Sequence, residues 1–181
     1  MPSPIVHAAL GAGAALAFLP RKRASVLAGA ALVALSCWPD VDYVPGLLAG
    51  VLNQFHQGFT HSFLFALAGV PLAYPFLRRA MPREVPARPI VAVLLLVALS
   101  HLLFDALTQD FRPPIGIPLF WPFTDLPVHS PWSLFPAWAK GTLRDLLNPS
   151  NLRAAAIELG YAIPLLVLPP LAARCRKRRT P

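Results

Sequence analysis

The chain has only eight acidic residues and five histidines, and it gathers most of them into four short stretches. His7 stands near the start, CWPDVDY carries Asp40 and Asp42, HQGFTH carries His56 and His61, and SHLLFD carries His101 and Asp105. Imidazole and carboxylate together suit Zn, Mn, Fe or Ni better than Ca or Mg. On a helix His101 and Asp105 are i and i+4, so both side chains leave one face a turn apart, as two ligands of one cluster must. His56 and His61 would be about 140° apart on a continuous helix, so they converge only if the chain turns between them. Gly58 permits that turn, and Thr60 as an N-cap would start a helix at His61. Asp40 and Asp42 follow Pro39 in what reads as a non-helical turn, where both carboxylates can reach one ion or two neighbouring ions. Seven ligands exceed one tetrahedral shell, which predicts two divalent ions about 3.5 to 4 Å apart, zinc foremost. Such ions activate water for hydrolysis. Asp40, Asp42 and His61 are the expected catalytic residues, with Asp40 or Asp42 as bridging ligand or general base.

Each piece has an ordinary reading when taken alone. A single helical His usually satisfies an interhelical hydrogen bond, an HxxxD pair can bond to itself, and a DxD can be solvated turn polarity. Ionisable groups at apolar helix ends are costly, however, at about 2.5 to 3.5 kcal/mol each in mid-membrane and less near the interface. Seven of them at one predicted membrane face are better explained by a shared site. His129, Asp110 and Asp125, in a later loop, are at most helpers.

The elements that must position these residues are apolar runs. The 181 residues are 56% hydrophobic and 13% charged, with a mean hydropathy of +0.56, far from a soluble average. Runs near residues 4–19, 24–38, 62–77, 89–107 and 154–173 predict an all-α, polytopic membrane protein of about five transmembrane helices in a single domain, 1–181. Basic residues follow the first run (Arg21, Lys22, Arg23) instead of preceding it, so it is expected to be retained as a helix with its N-terminus outside. Those three, with Arg78, Arg79, Arg83 and Arg88 and the tail Arg174, Arg176, Lys177, Arg178 and Arg179, fall on one side of a five-helix topology. The positive-inside rule makes that side cytoplasmic. Arg112, Lys140, Arg144 and Arg153 are spread over a long outer connection. Cys37 and Cys175 then lie at opposite faces and form no disulfide. The basic tail, 174–181, is expected to touch anionic lipid, with no nucleic-acid partner. Twenty-two prolines mark segment ends and the stretch RPPIGIPLFWPFTDLPVHSPW. This predicts an ordered, irregular, extracytoplasmic loop with Trp121, Trp132 and Trp138 at headgroup level. Pro71, Pro75, Pro164, Pro169 and Pro170 are expected to kink or end their helices.

The order HAALG, PDVDY, FHQGFTHSFLFAL, SHLLFDALT and LFWPFTD, over about residues 4–125, resembles the YdjM-like family of bacterial inner-membrane, metal-dependent hydrolase-like proteins, also described as LexA-binding. The resemblance implies a multi-helix inner-membrane protein with a hydrolase-like metal centre formed at His7, Asp40, Asp42, His56, His61, His101 and Asp105. The chain departs from the family pattern at Gln57 and at Gln109–Asp110, positions that bear on substrate contacts. The interfacial placement points to a phosphoester or lipid-linked substrate. Two other functions use the same residues: an ion or proton carrier, for which inner halves such as VAVLLLVALS offer almost no polar path, and a non-enzymatic partner protein stapled by metal.

Overall fold

In the computed structural model, residues 2–111 and 115–179 are described, with the side chains of 176–179 left aside; Arg112 of the long loop and Thr180 and Pro181 of the tail lie outside the described residues. The described residues form six α-helices and no strand: α1 (Pro4–Phe18), α2 (Ala24–Ser36), α3 (Tyr43–Ala49), α4 (Phe63–Ala80), α5 (Ala87–Ala106) and α6 (Ser150–Arg179). Short 3₁₀ turns cover Trp38–Asp42, Phe59–His61 and Asp145–Leu147.

Proline and small polar residues set most helix limits. Pro4 opens α1 at a position where its missing N–H costs nothing. Leu19 and Met81 adopt extended ψ values of 142° and 150° because each precedes a proline, which closes α1 and α4. The turn that holds Asp40 and Asp42 is helical in the 3₁₀ sense, not irregular. Gly50 ends α3 in the left-handed region at φ 72°. Two local expectations are corrected. Ser62, not Thr60, caps α4 by accepting from Phe65 N at 3.2 Å, so His61 sits in a turn ahead of the helix. The chain reverses at Gln57, at φ 69°, while Gly58 takes an extended φ of −81°. None of Pro71, Pro75, Pro164, Pro169 and Pro170 ends its helix, since α4 and α6 run through them.

Leu32 and Leu35 of α2, Leu77 of α4 and Ile90, Leu94 and Val97 of α5 form the buried core. Two glycines bring α1 close to its neighbours: a Cβ on Gly11 would lie 2.8 Å from Leu32 O, and one on Gly13 would lie 2.1 Å from Leu165 O of α6. Close backbone approach through small residues is how helices pack in lipid. Leu16, Leu27, Leu72, Leu96 and Leu168 stay exposed on the outer helix faces. Residues 87–106 and 150–175 are long and apolar enough to cross a membrane; a third crossing arises if α2 and the bent segment after it, at 69°, count together. Residues 107–111 and 115–149 are largely irregular, with bridges from Thr108 to Phe135 and from Ile117 to Val128. The start of α1, the ends of α2 and α5 and the turn before α4 meet at one end of the molecule, because His7, Asp40, His61, His101 and Asp105 touch there.

Candidate metal centre

Three ligand atoms form a tight triangle. His101 Nε2 lies 3.0 Å from Asp105 Oδ2, His61 Nε2 lies 3.4 Å from the same oxygen, and the two Nε2 atoms are 3.4 Å apart. Asp40 Oδ1 stands over the triangle, 3.7 Å from His61 Nε2 and 3.6 Å from His101 Nε2. Bonds of about 2.0 to 2.2 Å in a tetrahedron require ligand atoms about 3.3 to 3.6 Å apart. The triangle therefore comes close to the spacing for one small divalent ion, and the Asp40 oxygen, at 3.6 and 3.7 Å from the two nitrogens, stands at or beyond its outer limit. The side chains of His61, His101 and Asp105 are fully buried and that of Asp40 is 9% exposed. Burial on this scale is tolerable only if the charges are compensated.

The hydrogen bonds behind the ring point the nitrogens inward. His101 Nδ1 lies 2.8 Å from the carbonyl of Ser36, one of the carbonyls that the end of α2 leaves without a helical donor. A carbonyl only accepts, so the His101 proton is on Nδ1 and the Nε2 lone pair faces the ring. His61 Nδ1 stands 3.1 Å from Thr60 Oγ1 and 3.2 Å from Asp42 Oδ2; the Thr60 hydroxyl spends its proton on Asp42, so both neighbours accept and the His61 proton is on Nδ1. Asp42 also accepts from Thr60 Oγ1 at 2.7 Å and meets His56 Nδ1 at 2.7 Å. Such a carboxylate behind a ligating histidine fixes its tautomer and raises its basicity. Trp38 Nε1 donates to Phe65 O at 3.0 Å and pins the Asp40 turn to α4.

His7 completes the group from α1. Its ring stacks on His101 with centroids 3.9 Å apart, and its Nε2 lies 3.5 Å from Asp105 Oδ1. Both His7 nitrogens, both Asp105 oxygens, Asp40 Oδ2 and His56 Nε2 are buried without a hydrogen-bond partner. Unsatisfied buried polar atoms are rare enough that several in one place mark a site for an ion or water. Grouped by proximity, the donors fall into Asp40, Asp42, His56 and His61, and His7, His101 and Asp105.

Titration outside the helices follows the same arrangement. Burial disfavours the His61 cation, but the carboxylates of Asp40 and Asp42 outweigh it and hold its pKa up at about 9. Burial dominates at His56 and lowers it to about 4 despite the Asp42 bond. The Lys140 ammonium is pushed down by burial, against the pull of Asp40, Asp105, Glu158 and Asp42.

All seven residues singled out in the sequence stand in this cluster, whereas His129, Asp110 and Asp125 do not. His129 Nε2 contacts Thr108 O at 3.1 Å. Asp110 accepts from Gly116 N at 3.1 Å. Sequence reasoning passed over Tyr43, whose ring stacks on His56 at 3.7 Å, and Lys140, whose Nζ donates to the Tyr43 hydroxyl. Tyr43 follows Asp42 directly, a signal that was available; Lys140 is 97 residues away and left none.

The profile of the YdjM inner membrane protein family matches residues 1–174. The chain belongs to the YdjM inner membrane protein family. It is also similar to the inner membrane protein YbcI of Escherichia coli (strain K12), 34% identical over 142 residues that cover 74% of this chain and 75% of the relative. No solved structure matches. Family membership, apolar helices and a buried His/Asp cluster agree on a membrane protein with a possible metal site.

Proposed function

We propose that the protein is a membrane-bound, metal-dependent hydrolase acting on a phosphoester or lipid-linked substrate at the outer face of the inner membrane. The observation that carries this is the inward-facing triangle of His61 Nε2, His101 Nε2 and Asp105 Oδ2, with edges of 3.0 to 3.4 Å. Three protein ligands with a fourth position open is the pattern of catalytic zinc, and four closed ligands that of structural zinc. Asp40 stands farther off, and its Oδ2 is buried and unpartnered, which suits a general base beside the fourth position. An ion held there would act as a Lewis acid and lower the pKa of water bound to it. Asp105 offers its second oxygen to His7 at 3.5 Å, so His7 and Asp105 would hold a second ion if one binds, and Asp42 would hold His61 and His56 in place. If α1, α2 and α4 cross the membrane along with α5 and α6, the positive-inside rule leaves the N-terminus and the long loop outside and the basic tail in the cytoplasm, and the cluster then lies at the outer interface.

A non-catalytic metal staple is the second reading, favoured by the complete burial of the His61 and His101 side chains. Asp40→Asn separates the two. With metal content and a screen of phosphodiester, phosphomonoester and carboxylic ester substrates measured on the same preparations, the hydrolase loses about a thousandfold in turnover, or roughly 4 kcal/mol, and keeps its metal. Loss of metal together with thermal stability would favour the staple, because metal-binding free energy is then folding free energy.

A further inference from the structure

A small polar cleft opens next to the His/Asp cluster, along the seam between the 50–62 connection and the long loop. Its volume is about 200 Å³, and it is lined by Asn53, Gln57, Gln109, Asp110, Trp138 and Lys140. That is below the roughly 300 to 1,000 Å³ of whole-molecule ligand pockets, and it suits a head group. Asn53 and Gln57 flank His56 in sequence, and the His56 Nε2 is one of the buried atoms without a partner. Asn53 Oδ1 is another. The unpartnered atom of that amide is its acceptor oxygen, so toward an anion only its NH₂ group can serve.

Lys140 is the unusual residue in this lining. It is half-buried, its Nζ donates to the Tyr43 hydroxyl, and it lies 5.0 Å from the centre of the Tyr43 ring. An ammonium has three donors, and among the described residues no carboxylate is within ion-pair reach of this one. Tyr43 stacks on His56, and His56 bonds to Asp42 at 2.7 Å, so the lysine is joined to the cluster through two aromatic rings. Asp110, the carboxylate in this lining, is already held by Gly116 N at 3.1 Å and Gln57 Nε2 at 3.4 Å, so the cation kept partly out of water with donors to spare, beside amides, is left to face an anion.

We propose that this cleft, beside the His/Asp cluster, binds the phosphate of the substrate, with Lys140 and the amide NH₂ groups of Asn53, Gln57 and Gln109 donating to its oxygens; Gln57 gives one of its two hydrogens to Asp110 Oδ2 at 3.4 Å and keeps the other. This rests on the hydrolase reading and narrows its substrate class to phosphate-bearing molecules. Trp138 and Glu158 fix the loop in place: the Trp138 indole and the Ser3 amide and hydroxyl all donate to the buried Glu158 carboxylate. That holds the strand of loop leading to Lys140 over the cleft.

The test is phosphate binding by the full-length protein in detergent, followed by calorimetry, with elemental analysis of every sample. Inorganic phosphate should bind the parent in the millimolar range or tighter. Lys140→Met should weaken it at least tenfold with metal content unchanged, Lys140→Arg should stay within about threefold, and the double variant Asn53→Ala, Gln57→Ala should weaken it in its own right. Parent-like binding in both Lys140→Met and the double variant, or no binding by the parent, overturns the cleft. Phosphate binding by a parent that holds no metal supports the cleft and sinks the hydrolase centre, so the two failures are distinct. Dihexanoyl phosphatidylglycerol compared with glycerol 3-phosphate identifies the source: tenfold preference for the former indicates a lipid head group, and equal binding a soluble ester.

Discussion

Replacing Asp42 by Asn tests how the cluster is held together, since the change nearly preserves shape and removes one acceptor. Asp42 receives three donors, with Oδ1 facing His56 Nδ1 at 2.7 Å and Oδ2 facing Thr60 Oγ1 at 2.7 Å and His61 Nδ1 at 3.2 Å. An asparagine has one oxygen and an NH₂ group that only donates. If the oxygen faces Thr60 and His61, the NH₂ meets His56 Nδ1, and the proton of that ring must move to Nε2, which has no partner. If the oxygen faces His56, the NH₂ meets His61 Nδ1 and drives the His61 proton to Nε2, into the position a metal needs. Either way one buried donor loses its acceptor, a cost of about 1 to 3 kcal/mol. Loss of a carboxylate behind a metal-binding histidine costs about 10 to 100-fold in affinity, or roughly 1.4 to 2.7 kcal/mol. Asp42→Asn should therefore weaken zinc binding 10 to 100-fold in a chelator competition, while Asp105→Ala, which removes a ligand atom, should weaken it much further. Equal affinity in Asp42→Asn and the parent, within a factor of two, would refute the role assigned to Asp42.

Four other outcomes follow. With His61 held at about 9, an ion entering at pH 7 must displace a proton from Nε2, so affinity should rise about tenfold per pH unit from pH 6.5 to near 9; calorimetry in buffers of different ionisation heat should count at least one proton released, and a flat profile would contradict this. In the metal-free protein the sign reverses: the folded pKa of His61 exceeds its ordinary 6.5, so its stabilising contribution is complete below about 6.5 and is lost as pH rises through 9. Gly13→Ala should cost about 1 to 3 kcal/mol because its Cβ would meet Leu165 O at 2.1 Å, whereas Gly160→Ala, with nothing within 4 Å, should not; equal thermal unfolding of the two variants would remove the α1–α6 contact from the account. Cysteine labelling from each side should reach Cys175 from the cytoplasm and a cysteine placed at Ser130 from outside, and the reverse pattern would overturn the orientation.

The apolar runs made five of the six helices legible, though only α5 and α6 are each long and apolar enough to span a membrane, and proline and serine made most of their ends legible, because those features act locally. Convergence of His7, Asp40, Asp42, His56, His61, His101 and Asp105 was legible too, since few other polar residues occupy that end of the helices. The division of labour was not. Asp40 and Asp42 are two apart in a 3₁₀ turn, which places successive side chains about 120° apart, so one carboxylate reaches across to His101 and the other turns back to His56 and His61. A DxD pattern alone reads as two carboxylates reaching the same or neighbouring ions. Thr60 was read as a helix cap because threonine often caps, but its hydroxyl donates to Asp42 and Ser62 takes the cap. Lys140 and Glu158 reach Tyr43 and Ser3 across separations of 97 and 155 residues, and no local pattern encodes contacts of that range.

X-ray absorption at the metal edge of the zinc-loaded protein tests the central claim most directly. Two imidazole nitrogens and one or two carboxylate oxygens at about 2.0 to 2.2 Å are predicted, with one imidazole lost in His101→Ala. A sulfur neighbour near 2.3 Å, or a shell identical in His101→Ala and the parent, would contradict it.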